Sequence, residues 1–317
     1  MKIVVLDGYA LNPGDLSWKR LQEIGDCVIY DRTSQEEILL RSVDAEVLIT
    51  NKVIINQTSI EQLPKLKYIG VTATGYNVVD VKAASNKGIV VTNIPAYSTD
   101  SVAQLVFAHI LTVANRVELH SNSVKNGDWA NCPDFSYCKS PQTELTGKTL
   151  GIVGFGRIGQ RVAEIGLAFG MKVIFQNRSV RNDLPKGIIQ KTLGEVFSES
   201  DFISLNCPLT TDNMEFVNQE LLKTMKQTAV IINTGRGGLI NENDLATALN
   251  MGIIKAACLD VLSTEPPKAE NPLIGAKNCF ITPHLAWATY EARERLLEVT
   301  IDNLNCFISG SYQNVVK

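Results

Sequence analysis

Histidine is scarce in this chain, with three among 317 residues, and its seven cysteines are odd in number. Cys27, Cys132, Cys138, Cys207, Cys258, Cys279 and Cys306 are scattered and never form a C-x-x-C pair. Such spacing supplies neither a disulfide framework nor a zinc site; it suits reduced thiols in a cytoplasm, and no metal is expected. An excess of one charge is missing too. Thirty Lys and Arg stand against 33 Asp and Glu, for a formal net charge of −3, too even to draw nucleic acid or anionic lipid. No apolar run approaches the ~20 residues of a membrane span. The opening Met1-Lys2-Ile3-Val4-Val5-Leu6-Asp7-Gly8 is too short for a signal peptide and reads as a first strand. Glycine, at 22 residues, is too sparse for collagen, and 45% hydrophobic content is too high for disorder. These exclusions leave a soluble globular chain of about two domains.

What is present is an alternation of short apolar runs with segments of helical period, the pattern of a mostly parallel sheet covered by helices. Ile3–Leu6, Val28–Tyr30, Val47–Thr50, Tyr68–Val71 and Ile89–Thr92 read as strands. Leu16–Ile24, Gln35–Leu40 and Val79–Lys87 read as the helices between them. A second series, Thr149–Val153, Lys172–Phe175, Phe202–Leu205, Ala229–Asn233, Ala256–Leu259 and Cys279–Thr282, gives six more strands, about the number in a Rossmann-type doubly wound parallel sheet. Ser101–Lys125 joins the two series and reads as one long helix, with Asn93–Ser98 before it as a hinge. Its apolar residues Val102, Leu105, Val106, Phe107, Ile110, Leu111, Val113, Ala114 and Val117 surround most of the circumference, so it either runs through a core or is covered by a second subunit, the alternative we favour. His109 and His120 on this segment read as structural. Trp129 and Tyr137 lie in a polar loop that either reaches a neighbouring active site or packs locally.

Gly154-Phe155-Gly156-Arg157-Ile158-Gly159 fits G-x-G-x-x-G. The pattern alone is weak, but an apolar strand feeds it and an apolar-periodic helix leaves it. In that setting the first Gly makes the turn, the second admits a pyrophosphate to the backbone, and the third lets helix pack on strand. The free N–H groups and dipole of the helix start then hold phosphate. The next strand should end near an acidic residue that binds the ribose of NAD. It ends instead in Gln176-Asn177-Arg178-Ser179, with Arg181 beyond. A guanidinium and a hydroxyl suit a 2′-phosphate, so the expected cofactor is NAD(P)H with a preference for NADP. NAD stays open if Arg178 and Arg181 are solvated and Asn177 alone holds the ribose.

Three polar islands follow strand ends in the second series: Asn233-Thr234-Gly235-Arg236-Gly237-Gly238, then Leu259–Pro267, then Thr282-Pro283-His284-Leu285-Ala286-Trp287. Ligands of open α/β sheets bind at the carboxyl ends of strands. One Arg, one Glu and one His placed there suit hydride transfer to a 2-keto acid. A guanidinium binds a carboxylate through two hydrogen bonds and polarises the neighbouring carbonyl. An imidazole titrates near neutrality and can protonate the carbonyl oxygen, and a carboxylate behind the ring fixes its tautomer and favours its charged form. The competing reading makes Arg236 a loop cap, Glu265 solvated and His284 a turn residue.

The glycine loop, N-T-G-R-G-G, L-D-V-L-S-T-E-P-P and T-P-H-L-A-W, in this order and spacing, resemble the D-isomer-specific 2-hydroxyacid dehydrogenase family over nearly the whole chain. The resemblance implies that Arg236 binds substrate, Glu265 supports His284, and His284 is the acid/base. It implies a flavodoxin-like α/β substrate domain, smaller and discontinuous, from 1–99 and 288–317, around a dinucleotide-binding domain of 100–287, and a homodimer through the 101–125 helix. Its cofactor contacts pass to Arg157, Ile158, Cys207, Pro208, Thr234 and Asp260, with Asp260 alternatively a loop-capping carboxylate; they join Gly154, Gly156 and Gly159 of the glycine loop and the Asn177, Arg178 and Ser179 tip, where the chain departs from the acidic residue common in the family. Ala73, Thr74 and Gly75 fall at the substrate carboxylate, Thr74 also near the nicotinamide. Residues 73–80, 94–98 and 134–137 resemble the glycerate dehydrogenase (hydroxypyruvate reductase) branch, which implies reduction of hydroxypyruvate to D-glycerate or glyoxylate to glycolate. Two alternatives are a D-3-phosphoglycerate dehydrogenase-like enzyme, which often has an appended domain, and a corepressor-like nucleotide sensor without turnover.

Overall fold

The computed structural model describes residues 1–181 and 183–316. Its chain packs into two units, Met1–Ser98 with the chain from Ala288 onward, and Thr99–Trp287.

In the first unit the apolar runs become β1 (Lys2–Val5), β2 (Asp26–Ile29), β3 (Val47–Thr50), β4 (Tyr68–Val71) and β5 (Val90–Thr92). All pair in parallel in the order β2-β1-β3-β4-β5, the flavodoxin-like arrangement. Every residue of β3 and β4 is buried, which is why both read as continuous apolar runs rather than alternating ones. Val4, Leu6, Ile38, Leu48, Ile60, Ile69 and Val91 share the core on one face. Helix Tyr290–Ile308 packs on β4, buries Leu296, Leu297, Ile301 and Leu304, and is capped by Thr289, whose hydroxyl accepts from Ala292 N. The helix read over Leu16–Ile24 contracts to Lys19–Gln22. An unanticipated one, Gln57–Glu61, is capped by Asn56.

The second unit holds β6 (Thr149–Val153), β7 (Lys172–Gln176), β8 (Ile188–Gln190), β9 (Phe202–Leu205), β10 (Val230–Asn233), β11 (Ala256–Leu259) and β12 (Cys279–Ile281). They form one parallel sheet in the order β12-β11-β10-β9-β6-β7-β8. The chain builds outward from β6 to β8, returns to the other side at β9, and continues outward. The switch point of this doubly wound sheet therefore lies between β6 and β9, whose residues Leu150–Val153 pair with Phe202–Leu205. Seven strands replace the six expected. The addition, β8, is a three-residue edge strand with Ile188 buried and Ile189 exposed, too short to give a periodic signal.

The expected single helix over 101–125 is corrected to two, Thr99–Asn115 and Val117–Lys125, bent by 54°. Arg116 takes the left-handed conformation at φ 50°, and Thr143 N bonds to the Ala114 carbonyl, an acceptor that a continuing helix would have used. The guanidinium of Arg116 lies 5.1 Å from the centroid of the Phe280 ring. The circumference argument is corrected as well. Val106, Phe107, Ile110, Val113 and Ala114 belong to the core of their own unit with Leu150, Val162 and Ile232, so most of the apolar surface needs no second subunit. No single helix among the described residues is long and apolar enough to cross a membrane.

Candidate active site

Strand β6 delivers the glycine loop to the switch point. Gly154 has φ 92°, and a Cβ there would stand 2.6 Å from Cys207 N. Only glycine meets both conditions. A Cβ on Gly156 would meet no atom within 4 Å, whereas one on Gly159 would lie 2.2 Å from the Gly154 carbonyl oxygen. The three glycines thus serve turn, open approach and close packing in that order. Gly156 is followed by helix Arg157–Ala168, so the amides that a helix start leaves without intrahelical partners lie next to this open position.

At the end of β7, Asn177 Oδ1 accepts from Phe155 N at 3.4 Å. Its amide nitrogen donates to the Ser179 carbonyl and hydroxyl at 3.2 and 3.1 Å. Gln190, on the strand that the sequence did not reveal, donates to Ser179 O at 3.0 Å and accepts from Arg181 N at 2.9 Å. The Asn177–Ser179 turn is therefore held from two sides, with Arg178 exposed. Across the switch point, Asn213 donates to the Pro208 carbonyl at 2.8 Å, and burial raises the Cys207 thiol above its usual pKa. Thr234 Oγ1 and Asn206 Oδ1 are buried with no hydrogen-bond partner among the described residues. A buried acceptor without a partner costs about 1–3 kcal/mol, so both mark where a polar ligand is wanted. Asn206 was missed by sequence reasoning; its only signal was a polar residue at the carboxyl end of β9. The open face at Gly156, the helix start and these two unpartnered atoms together fit a dinucleotide.

The other polar islands follow three adjacent strands, β10, β11 and β12. After β10, buried Asn233 fixes the turn, its side chain donating to the Arg236 carbonyl at 2.9 Å and accepting from Gly235 N at 3.0 Å. Arg236 is exposed, and its Nη1 donates to the Gly235 carbonyl at 2.8 Å. A Cβ on Gly237 would fall 1.9 Å from the Leu262 carbonyl carbon. This glycine lets the Arg236 turn lie directly on the backbone that leads to Glu265.

His284 Nδ1 and Glu265 Oε2 are 2.5 Å apart, while Glu265 Oε1 accepts from Leu262 N at 3.0 Å. The carboxylate is thus anchored by its own loop and presents its other oxygen to the ring. The two side chains are 33% and 36% exposed, a degree that leaves the ring accessible to a small molecule. His284 Nε2 makes no hydrogen bond among the described residues. Asp260, 1% exposed, takes the loop-capping role. Its Oδ1 accepts from Thr282 Oγ1 at 2.6 Å and Leu285 N at 2.9 Å, and Oδ2 accepts from Ala286 N at 2.8 Å.

In the first unit, Ala73, Thr74 and Gly75 follow β4 and are tied to the loop after β5. Thr74 Oγ1 donates to the Ile94 carbonyl at 2.9 Å, Asn93 donates to the Thr74 carbonyl at 2.8 Å, and Ile94 N donates to the Ala73 carbonyl at 3.0 Å. Asp7, not singled out from sequence, accepts from Asn51 N, Lys52 N and Val53 N at 2.8, 2.6 and 3.2 Å and shapes the loop after β3. The remaining aromatic candidates pack locally, Trp129 Nε1 on the Phe135 carbonyl at 2.9 Å and Tyr137 OH on Ser123 Oγ at 2.7 Å. His120 bridges the Arg116 carbonyl and Lys139 N.

Comparison with known proteins gives concordant results. The family model described as D-isomer specific 2-hydroxyacid dehydrogenase, NAD binding domain, matches residues 107–286. A hydroxypyruvate reductase of Blautia hydrogenotrophica is 47% identical over 323 residues, covering 100% of this chain and 99% of its own. A glycerate dehydrogenase of Methylorubrum extorquens is 39% identical over 291 residues, 91% of each chain. Among solved structures, an acyclic imino acid reductase in complex with NADPH and D-Arg matches with a TM-score of 0.85 and 35% identity, covering 100% of both chains. The chain belongs to the D-isomer-specific 2-hydroxyacid dehydrogenases, NAD(P)-dependent oxidoreductases that act on CH–OH groups.

Proposed function

We propose that this protein reduces hydroxypyruvate to D-glycerate, and glyoxylate to glycolate. The observation that carries the reading is the His284–Glu265 pair at 2.5 Å, in a chain with end-to-end similarity to a hydroxypyruvate reductase. The Thr99–Trp287 unit would bind the dinucleotide through Gly154, Gly156, Arg157, Ile158, Gly159, Asn177, Cys207, Pro208 and Thr234. The first unit would bind substrate through Ala73, Thr74 and Gly75. When bound, the reduced nicotinamide supplies the hydride.

The chain's own groups do the rest. Arg236 takes the substrate carboxylate by two parallel hydrogen bonds and draws electron density from the adjacent carbonyl. Glu265 accepts from Nδ1–H of His284, which leaves Nε2 as the nitrogen that gives its proton to the carbonyl oxygen. In the reverse direction the neutral ring takes the hydroxyl proton, and Glu265 steadies the imidazolium. Asp260 holds the His284 loop by its carboxylate, at the place where the family resemblance also puts a cofactor contact.

The preference for NADP rests on Asn177-Arg178-Ser179. Asn177 and Gln190 hold the Ser179 turn in place, and a preformed hydroxyl beside the exposed Arg178 suits a 2′-phosphate better than a bare ribose diol. A homodimer through the 101–125 segment draws support from exposed Val117 and Val124 and from the groove lined by Phe107, Leu111, Ile165 and Phe169. Seven free thiols suit a cytoplasmic setting. The test is a matrix of initial rates with hydroxypyruvate, glyoxylate, pyruvate and phosphohydroxypyruvate, each with NADH and NADPH. Equal rates on all four acids would defeat the substrate reading, and cofactor binding without turnover would turn the protein into a sensor.

A further inference from the structure

The Thr99–Asn115 helix carries a titratable group on its buried side. His109 is 4% exposed, and burial lowers its pKa from the ordinary histidine value against an upward pull from Asp260. Its Nε2 lies 3.3 Å from Thr282 Oγ1, and the same hydroxyl stands 2.6 Å from Asp260 Oδ1. A carboxylate only accepts, so the single hydrogen of the hydroxyl goes to Asp260 and a lone pair faces His109. A neutral ring in that place has its proton on Nε2. Asp260 in turn holds Leu285 N and Ala286 N by its carboxylate, and its carbonyl accepts from His284 N at 2.8 Å. A chain of donors therefore runs from the helix, through one hydroxyl, to a carboxylate that grips the Thr282 side chain before His284 and the backbone N–H groups of Leu285 and Ala286 after it.

We propose that His109 is a positioning residue for the acid–base ring of His284, acting through Thr282 and Asp260. The inference rests on His284 being the proton donor. An apolar residue at 109 would fill the helix face but would leave the Thr282 hydroxyl held by Asp260 alone. The Asp260–Thr282 bond would then lose the donor that orients it from behind, and the 282–286 loop part of its restraint. Small displacements at a reacting centre cost up to ~10²-fold in rate.

The experiment uses the full chain with His109→Leu, His109→Gln, Thr282→Val and the His109→Leu/Thr282→Val pair, each checked for folding by circular dichroism. Reduction kcat falls about tenfold in His109→Leu and in Thr282→Val, with KM for keto acid and cofactor within about twofold. His109→Gln, which keeps an N–H at that reach, recovers most of the loss. The double variant is no worse than the weaker single one, because both break the same chain. Folded His109→Leu with unchanged kcat, or additive losses in the pair, overturns the proposal. Where His109→Leu does not fold, nitrogen-15 histidine spectra of the unsubstituted protein decide: an Nε2–H tautomer at 109 supports the chain, and an Nδ1–H tautomer overturns it. His284→Ala separates the two assignments. Loss of kcat there with His109→Leu unaffected removes only the positioning role, while retention of kcat removes both.

Discussion

Gly156 and Gly159 make opposite demands, and alanine at each should separate ligand binding from folding. Gly156 has extended backbone, φ −80° and ψ −164°, that alanine adopts freely, and its added methyl meets nothing within 4 Å. Folding should therefore change by less than about 1 kcal/mol, the usual range for alanine at a helix N-cap. At Gly159 the methyl lands 2.2 Å from a backbone oxygen and 3.1 Å from Ile152 Cγ2, so helix and strand must part by about 1 Å. Overpacking of that kind costs about 1–3 kcal/mol, a drop in Tm of roughly 2–12 °C for a unit of this size. The cofactor should respond the other way round in specificity. If phosphate approaches the backbone through the opening at Gly156, the methyl displaces at least one charge-assisted hydrogen bond, about 1.5–3 kcal/mol. That raises Kd by about tenfold or more. Thermal melts and NADPH fluorescence titrations of both variants measure the two effects. Gly156→Ala that melts and binds like the parent protein would show that the pyrophosphate does not use this opening.

His284→Ala should lower reduction kcat by at least ~10²-fold, and initial rates at saturating keto acid check it; unchanged kcat removes His284 from the chemistry. Arg178→Ala should raise KM for NADPH much more than for NADH; equal changes would return Arg178 to a solvated charge. In the first unit, Asp15 is bonded to Arg293 at 2.6–2.7 Å, and that bond lowers the Asp15 pKa from 3.8. A depressed carboxylate stabilises the fold above its unfolded pKa, and the contribution fades as pH falls from about 3.8 through the folded value. The Tm advantage of the parent protein over Asp15→Asn should thus hold steady above about pH 4 and shrink below it, and parallel Tm–pH curves would refute the coupling.

The legibility of the chain follows the length of its signals. Fully buried parallel strands such as β3, β4, β9 and β10 read directly from sequence, because burial on both faces turns them into unbroken apolar runs. β8 did not, since three residues at a sheet edge with one side chain exposed give neither period nor run, yet β8 supplies the Gln190 that holds the Ser179 turn. The break at Arg116 was hidden for another reason. Arginine is a good helix former, and what ends the helix is a hydrogen bond from Thr143, 27 positions on. In the site, Arg236, Glu265 and His284 were legible as residue types at strand ends. That Gly237 seats one loop on another, and that Asp7 organises the loop after β3, were not, because both depend on contacts between distant segments.

The conformation of His284 explains why the Asp260 clamp is so dense. His284 has φ 52°, a left-handed backbone that costs a non-glycine residue about 1–2 kcal/mol. Glycine would remove that cost but carries no imidazole, so the residue must be held by what surrounds it. Its own N–H is engaged by the Asp260 and Thr282 carbonyls at 2.8 and 2.9 Å. Each of the three bonds to the Asp260 carboxylate contributes about 1.5–3 kcal/mol, as bonds to charged groups do. Their sum exceeds the backbone cost, so the strained turn is the stable one and the ring is aimed at Glu265 before any substrate arrives. In the proposed reaction a buried carboxylate two dozen residues upstream thereby positions the acid–base histidine, and the helix histidine behind it extends the same chain one step further from the reaction.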